Sequence, residues 1–276
     1  MGKLMDNQLR AAQMRMLAIL NEVDRICRLN KINYWLDAGT LLGAKRHGGF
    51  IPWDDDIDIC MLRDDYNKFI MACDKQLNKE IFFLQTAYSD EYYVDFNTPC
   101  KIRMNNTEII EKSEVKYKYY DERSHHGLFL DIFPYDKYSS NKYIRKYVER
   151  FISQLCKLKV LSKYSGFPIT KKILIKCLSS IICKRRLLAF VDLVSFRMSE
   201  RKHDYLLGAG IETPFHRAYF SEDTIFPLSE IKFEGRMYLC PNNVDKYLCM
   251  MFGDNYMTIP PAAQRVWHYH SINIGK

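Results

Sequence analysis

The chain has 276 residues, 47% of them hydrophobic and 14% aromatic, with only 12 glycines and 9 prolines. This composition supplies a sizeable core and excludes a disordered, collagen-like or low-complexity chain. The formal net charge of +8 is unevenly spread: residues 137–186 hold fourteen Lys/Arg against Glu149 alone, a local balance of +13, and the other 226 residues balance at −5. A mildly acidic body therefore carries one strongly basic insert, and each part needs its own explanation.

The opening residues, MGKLMDNQLRAAQMRM, lack the apolar core of a signal peptide. Leu9, Ala12, Met16, Ile19, Leu20, Val23 and Cys27 recur at three- and four-residue spacing, which predicts an amphipathic helix. Ile32–Leu36 is rich in strand formers. At its end Gly39-Thr40 offers a polar helix start for the short apolar segment Leu41–Ala44, and His47-Gly48-Gly49 stops that helix. Ile57–Leu62 alternates as a strand does, and a helix follows over about 63–77. Further strands are predicted at 81–85, 101–104 and 128–133. From 141 to about 201 the pattern is helical, interrupted at Ser165-Gly166-Phe167-Pro168. Irregularly mixed strands and helices predict an α+β fold: one mixed sheet with flanking helices, a single domain over 1–276, and a basic helical insert at about 137–201.

Nine cysteines without a Cys-x-x-Cys pair or zinc-like Cys/His spacing predict free thiols and a reduced compartment. The most apolar windows, 173–183 and 187–194, are broken by charges and fall short of the roughly 20 residues that span a bilayer. A cytoplasmic protein, soluble or peripheral to the membrane, is expected.

The stretch Phe50-Ile-Pro-Trp-Asp-Asp-Asp-Ile-Asp-Ile-Cys-Met61 carries the most chemistry. In an extended chain Asp54, Asp56 and Asp58 share one face, with Ile57, Ile59 and Met61 on the other. Carboxylates so crowded repel unless a cation neutralises them, and hard oxygen ligands suit Mg²⁺ or Mn²⁺. A calcium loop starting at Asp54 would need Gly and Glu where Ile59 and Asp65 stand, so that reading fails. Upstream, Gly39-Thr40 at a strand-to-helix junction presents backbone N–H groups to a phosphate. Together with the Asp56-x-Asp58 strand it reproduces the layout of a nucleotidyltransferase. Lys45, Arg46 and His47 between them supply cations for a diphosphate, or else a solvated surface run. Asp131, inside the apolar run Gly127–Phe133, is expected as a third carboxylate; a core aspartate satisfied by protein groups is the alternative.

Residues 34–61, with Gly127–Asp136, Phe226–Glu234 and the segment from Phe252 through Arg265 to His268, resemble the LicD family, which includes bacterial phosphocholine transferases and is related to fukutin and fukutin-related protein. The resemblance is dense over 32–62 and faint over 140–200. It implies a nucleotidyltransferase-like fold and transfer of a phospho-alcohol, typically phosphocholine from CDP-choline, to a glycan hydroxyl. The family's metal-binding pair falls on Asp56 and Asp58, and its downstream strand carboxylate on Asp131. Asp131 then either completes the metal site or accepts the hydroxyl proton. Other CDP-alcohol donors (ribitol, glycerol, ethanolamine) and a lipid-linked glycan acceptor are compatible. A choline donor would favour an aromatic cage, for which Trp35, Trp53, Tyr92, Tyr93 and Tyr135 lie near the motifs. His268 and Arg265 are candidates to reach donor or acceptor.

Two rival readings start from the basic insert. An RNA-binding nucleotidyltransferase is disfavoured, because its Lys/Arg are spread along apolar-patterned helices with no stacking platform. A non-catalytic membrane-surface protein would use the same helices without the acidic site. The preferred role for the insert is docking on the anionic inner face of the membrane.

Overall fold

A computed structural model describes residues 2–93, 98–213 and 218–275. Helix α1 (Gly2–Asn30) buries the predicted stripe, with Met16, Ile19, Leu20, Val23 and Cys27 fully inside, and packs on α3, β4 and β6. Strand β1 (Trp35–Leu36) is shorter than the predicted 32–36 because only these two residues pair, antiparallel, with Cys60 and Ile59. Helix α2 (Ala38–His47), β2 (Asp58–Leu62), α3 (Arg63–Gln76), β3 (Phe82–Thr86) and β4 (Cys100–Met104) follow close to expectation. The short pieces β5 (Glu108–Glu111) and α4 (Lys112–Tyr117) precede the long β6 (Phe129–Ser139). The insert is helical as predicted: a π-helical turn at Ile144–Glu149 continues into α5 (Arg150–Leu161), then come α6 (Ile169–Ser180) and α7 (Lys184–Ser199). Next are β7 (Tyr205–Ala209), α8 (Glu222–Ile225), the hairpin β8–β9 (Ser229–Phe233, Arg236–Cys240), α9 (Val244–Phe252) and β10 (Tyr269–Asn273).

The central sheet runs β1-β2-β6-β4-β3, with β7 on the far half of β6. Only β2 and β6 pair in parallel, which makes the sheet mixed. Their register sets Asp58 beside Asp131, and the antiparallel β4 sets Lys101 on the other side of Asp131. Side chains in register on neighbouring strands share a face, so three ionisable groups stand in a row across the sheet. One large core surrounds the sheet, and a smaller one (Tyr138, Ile152, Cys156, Leu187, Val191, Met198) holds the insert helices to its end. All nine cysteines are free, and Cys27, Cys60 and Cys73 are buried apolar groups as expected.

A buried ion network joins α3 and β6 to the segment after β7. Arg63 at the start of α3 binds Asp136 of β6 through Nε and Nη2, both at 2.8 Å, and Glu212 through Nη1 and Nη2 at 3.0 and 2.7 Å. Asp136 also accepts from the Ile211 N–H at 2.7 Å. Removing the guanidinium would leave two buried carboxylates without their counter-charge. Arg63→Ala should therefore cost about 3–5 kcal/mol of stability, read as a lowered urea midpoint, whereas Arg25→Ala, which breaks an exposed pair with Glu22, should cost under about 1 kcal/mol.

Candidate active site

Every predicted aspartate lies at the leading end of the parallel pair β2/β6, where the chain enters both strands. Extended structure begins only at Asp58, because Pro52-Trp53 turns the chain and the Asp54 N–H bonds the Ile51 carbonyl at 2.9 Å. Asp54, Asp56 and Asp58 nevertheless line one cavity together. Burial and mutual repulsion act on them: Asp54 is pushed up to about 7 by desolvation, then by Asp58 and Asp55, and Asp56 is pushed well above the usual carboxylate range by desolvation, then by Asp54, Asp55 and Asp131. A hydrogen bond between the Asp54 and Asp56 side chains offsets part of this.

The neighbouring acids are matched with donors. Asp55, 2% exposed, accepts the N–H groups of His268 and Tyr269 and the His268 Nδ1 at 3.2 Å. Asp131 pairs with Lys101 at 2.7 Å; burial raises its proton affinity, and the ammonium only partly opposes that. Asp37 accepts the Tyr247 hydroxyl at 2.6 Å. Lys101 and the role of Asp55 escaped the sequence reading. A lysine in the strand CKIRM was the available signal, but its register against Asp131 is a tertiary fact.

At α2 the cap is Asp37, in extended conformation, rather than Thr40: the Leu41 N–H already reaches the Asp37 carbonyl at 3.0 Å. Thr40 sits in the first turn, buried, and its hydroxyl accepts the Asp58 N–H at 2.9 Å, tying the helix start to the acidic strand. Ala38 holds φ +45°, a left-handed conformation that costs an L-residue about 1–2 kcal/mol and turns the chain sharply from β1 into α2. A Cβ on Gly39 would lie 2.8 Å from Asp54 Oδ2, so only glycine brings the helix start this close to the carboxylates.

Lys45, Arg46 and His47 stand in the last turn of α2, about 10 Å further along the helix, and the structure gives them other partners. Lys45 pairs with Asp245 at 2.9 Å, Arg46 donates to the carbonyls of Tyr256 and Thr258, and His47 packs edge-on against Trp53. None of the three lines a cavity that holds the acids.

Two cavities meet at the carboxylates. The smaller, about 470 Å³, is lined by Ala38, Gly39, Leu42, Ile51, Asp54, Met251 and Phe252; the larger, about 780 Å³, by Asp37, Asp131, Thr98, Lys112, Lys116, Tyr117, Tyr119, Tyr135, Tyr164 and Trp267, among others. Asp56, Asp58 and His268 line both. In the larger one Tyr164 stacks on Tyr117 at 4.8 Å and on Tyr119 at 4.9 Å, and the Lys112 ammonium lies 4.5 Å from the Trp267 ring. Of the aromatics expected near the motifs only Tyr135 lines it; Trp35 is core, Trp53 lies under Arg265, and Tyr92 and Tyr93 border a separate small pocket. Among the described residues no three His, Cys, Asp or Glu side chains form a ready-made metal cage.

Acidic groups bordered by two cavities, beside a helix start, mark the candidate active site. Residues 31–171 match the family model described as LicD/FKTN/FKRP, nucleotidyltransferase domain, and the chain belongs to that family. It is 29% identical over 273 residues, 95% of this chain and 96% of the relative, to the lipopolysaccharide cholinephosphotransferase LicD of Haemophilus influenzae. It is 33% identical over 101 residues, 37% of this chain and 35% of the relative, to an uncharacterised protein of Rickettsia prowazekii. A stretch of 34 residues, 12% of this chain and 7% of the relative, is 53% identical to the human ribitol 5-phosphate transferase FKRP. The relatives with a named activity are phosphotransferases, and this chain is an enzyme of that type.

His268 is pushed up to about 9, first by its hydrogen bond to Asp55 and against the opposing effect of burial. Its folded-state affinity exceeds the ordinary imidazole value, so its contribution to stability is complete below that value and is lost as pH rises through about 9. In NMR titration the His268 ring should change charge near pH 9, and in Asp55→Asn its midpoint should fall to the ordinary imidazole range or below.

Proposed function

We propose that this enzyme transfers phosphocholine from CDP-choline to a hydroxyl of a cell-surface glycan or of its lipid-linked precursor, with Mg²⁺ or Mn²⁺ bound by Asp56 and Asp58. The observation that carries this reading is the shared border of the two cavities: a donor in one and an acceptor in the other meet at Asp56, Asp58 and His268.

The donor set fits a hard divalent cation. Carboxylates that raise one another's proton affinity take up a proton or a cation readily, and Mg²⁺ is commonly held by one or two carboxylates plus substrate phosphates rather than by a complete protein cage. When bound, the cation supplies charge neutralisation at the phosphoryl oxygens. The protein's own groups do the rest. Gly39, in the first turn of α2, lines the smaller cavity, and the free N–H groups of a helix start there would hold a phosphoryl oxygen at the border shared with the larger one. Lys112 and Lys116, in place of Lys45 and Arg46, border the larger one as counter-charges for a diphosphate. The acceptor hydroxyl attacks the distal phosphorus, the bond to the CMP oxygen breaks, and CMP leaves with the electron pair. Asp131, held by Lys101, takes the hydroxyl proton.

The choline assignment rests on the relative in Haemophilus influenzae and on the aromatic wall, since ring faces attract a quaternary ammonium. A ribitol, glycerol or ethanolamine donor would gain less from that wall.

With purified protein, CMP release from CDP-choline in the presence of acceptor glycan should require divalent cation and cease with EDTA. Asp56→Asn and Asp58→Asn should each lower kcat by about 10³-fold while leaving the fold intact; near-normal activity of either variant would sink the reading. Tyr164→Ala should raise KM for CDP-choline by about tenfold and change KM for CDP-ribitol far less.

A further inference from the structure

Helix α6 is built the wrong way round for a water-exposed surface helix. Its inward face is narrow, with only Ile175 and Ser179 buried. Opposite them Ile169, Ile173, Leu174 and Leu178 are 68, 56, 59 and 46% exposed, and Ile181 just beyond the helix is 81% exposed. At 100° per residue these apolar side chains, with Cys177, span the outer half of the helix, and the exposed Lys171 and Lys176 fall at its two edges. No Asp or Glu occurs between Glu149 and Asp192. Soluble surface helices put such apolar residues against the core, and a contiguous exposed set marks a contact site.

We propose that α6 lies in the surface of an anionic lipid bilayer, its apolar outer face among the acyl chains near the headgroups and its two edge lysines reaching back to lipid phosphates. Charge selects this occupant. A second copy of the same face would set lysine rows against each other, whereas an apolar strip flanked by cations, with no carboxylate in its own stretch from 150 to 191, complements acyl chains below and anionic headgroups at the rim. The twelve-residue helix is about 18 Å long, too short to cross, and no helix among the described residues is long and apolar enough to do so.

Position makes this contact useful. The turn before α6 is bonded to the active-site wall: the N–H groups of Ser165 and Gly166 donate to the Tyr117 carbonyl at 2.9 and 3.3 Å. Phe167 packs on Tyr117 and Tyr164, and the Lys171 ammonium sits 4.4 Å from its ring. Tyr164 lines the larger cavity. A helix resting on lipid would hold the carboxylates shared by the two cavities near the membrane surface, where a lipid-linked acceptor is presented. The docking surface is narrower than the basic insert as a whole: Lys184 is turned to the carbonyls of Glu91 and Tyr93, and Lys172 is half-buried.

The test is flotation of the full-length protein with vesicles of phosphatidylglycerol and phosphatidylcholine, and with phosphatidylcholine alone, which reads lipid contact without the reaction. The wild type should float with the anionic vesicles and lose most binding in high salt. Lys171→Gln with Lys176→Gln should weaken binding by about 10- to 30-fold. Ile173→Glu with Leu174→Glu should abolish it, with circular dichroism unchanged and CMP release with a soluble acceptor within twofold of wild type. Ile181→Glu, outside the helix, should weaken it independently if the double variant misfolds. Failure of the wild type to float overturns the proposal, as does equal binding by folded variants. A wild-type dimer that the Glu variants dissociate would also overturn it, by assigning the face to a second copy.

Discussion

Like charges crowded in a half-buried space are the constraint on which the rest of this structure depends. Asp37, Asp54, Asp55, Asp56, Asp58 and Asp131 meet around the leading ends of two parallel strands; desolvation disfavours ionisation of Asp54, Asp56 and Asp131, and repulsion from neighbouring carboxylates adds to it at Asp54 and Asp56. Such a cluster survives in a folded protein only if its members are matched by donors or held for a cation. Much of the surrounding architecture supplies those donors.

The matching is selective. Asp55 takes two backbone N–H groups and an imidazole from the segment entering β10, which fastens the C-terminal strand to the site. Asp131 takes Lys101 from the neighbouring strand, and Asp37 takes Tyr247 from α9, which also meets Trp35 and Tyr135. Each pairing brings a distant segment to the site. The acids thus act as fasteners as well as chemistry, while Asp54 and Asp56 keep raised proton affinities and a hydrogen bond between themselves. Acids that hold protons this readily where two cavities meet would exchange them for a cation and a phosphorylated substrate.

Helix α1, the strand around 58–62, the helix after it and the helical insert with its break at 165–168 were legible in the sequence because their apolar periodicity is strong and local; the second break, between α6 and α7, was not. The Asp-x-Asp strand and Asp131 were legible because acids inside apolar runs are costly and therefore conspicuous. The family is shown by residues 31–171, which contain the stretch that carried the resemblance. The surroundings of Lys45, Arg46 and His47 were not legible, because a cationic run next to a motif says nothing about which helical turn it occupies; at the far end of α2 Lys45 and Arg46 meet α9 and the segment after it. Lys112 and Lys116 looked like an ordinary charged stretch, and only the packing of α4 against β5 and β10 puts them at the larger cavity. The aromatic stack has the same origin, since Tyr164 comes from a segment far in the chain from Tyr117 and Tyr119.

By itself, then, the sequence determined the main helices and the acidic strand, the family, most of the carboxylates and the division into an acidic body and a basic insert. Each of these is written in local order: spacing along a helix, alternation along a strand, residue types in a short motif. Only the tertiary structure decided which acids are neutralised and by what, which cations border the cavities, and that the apolar half of α6 faces outward. Those are properties of register and packing between segments distant in sequence, and no periodicity within one segment encodes them.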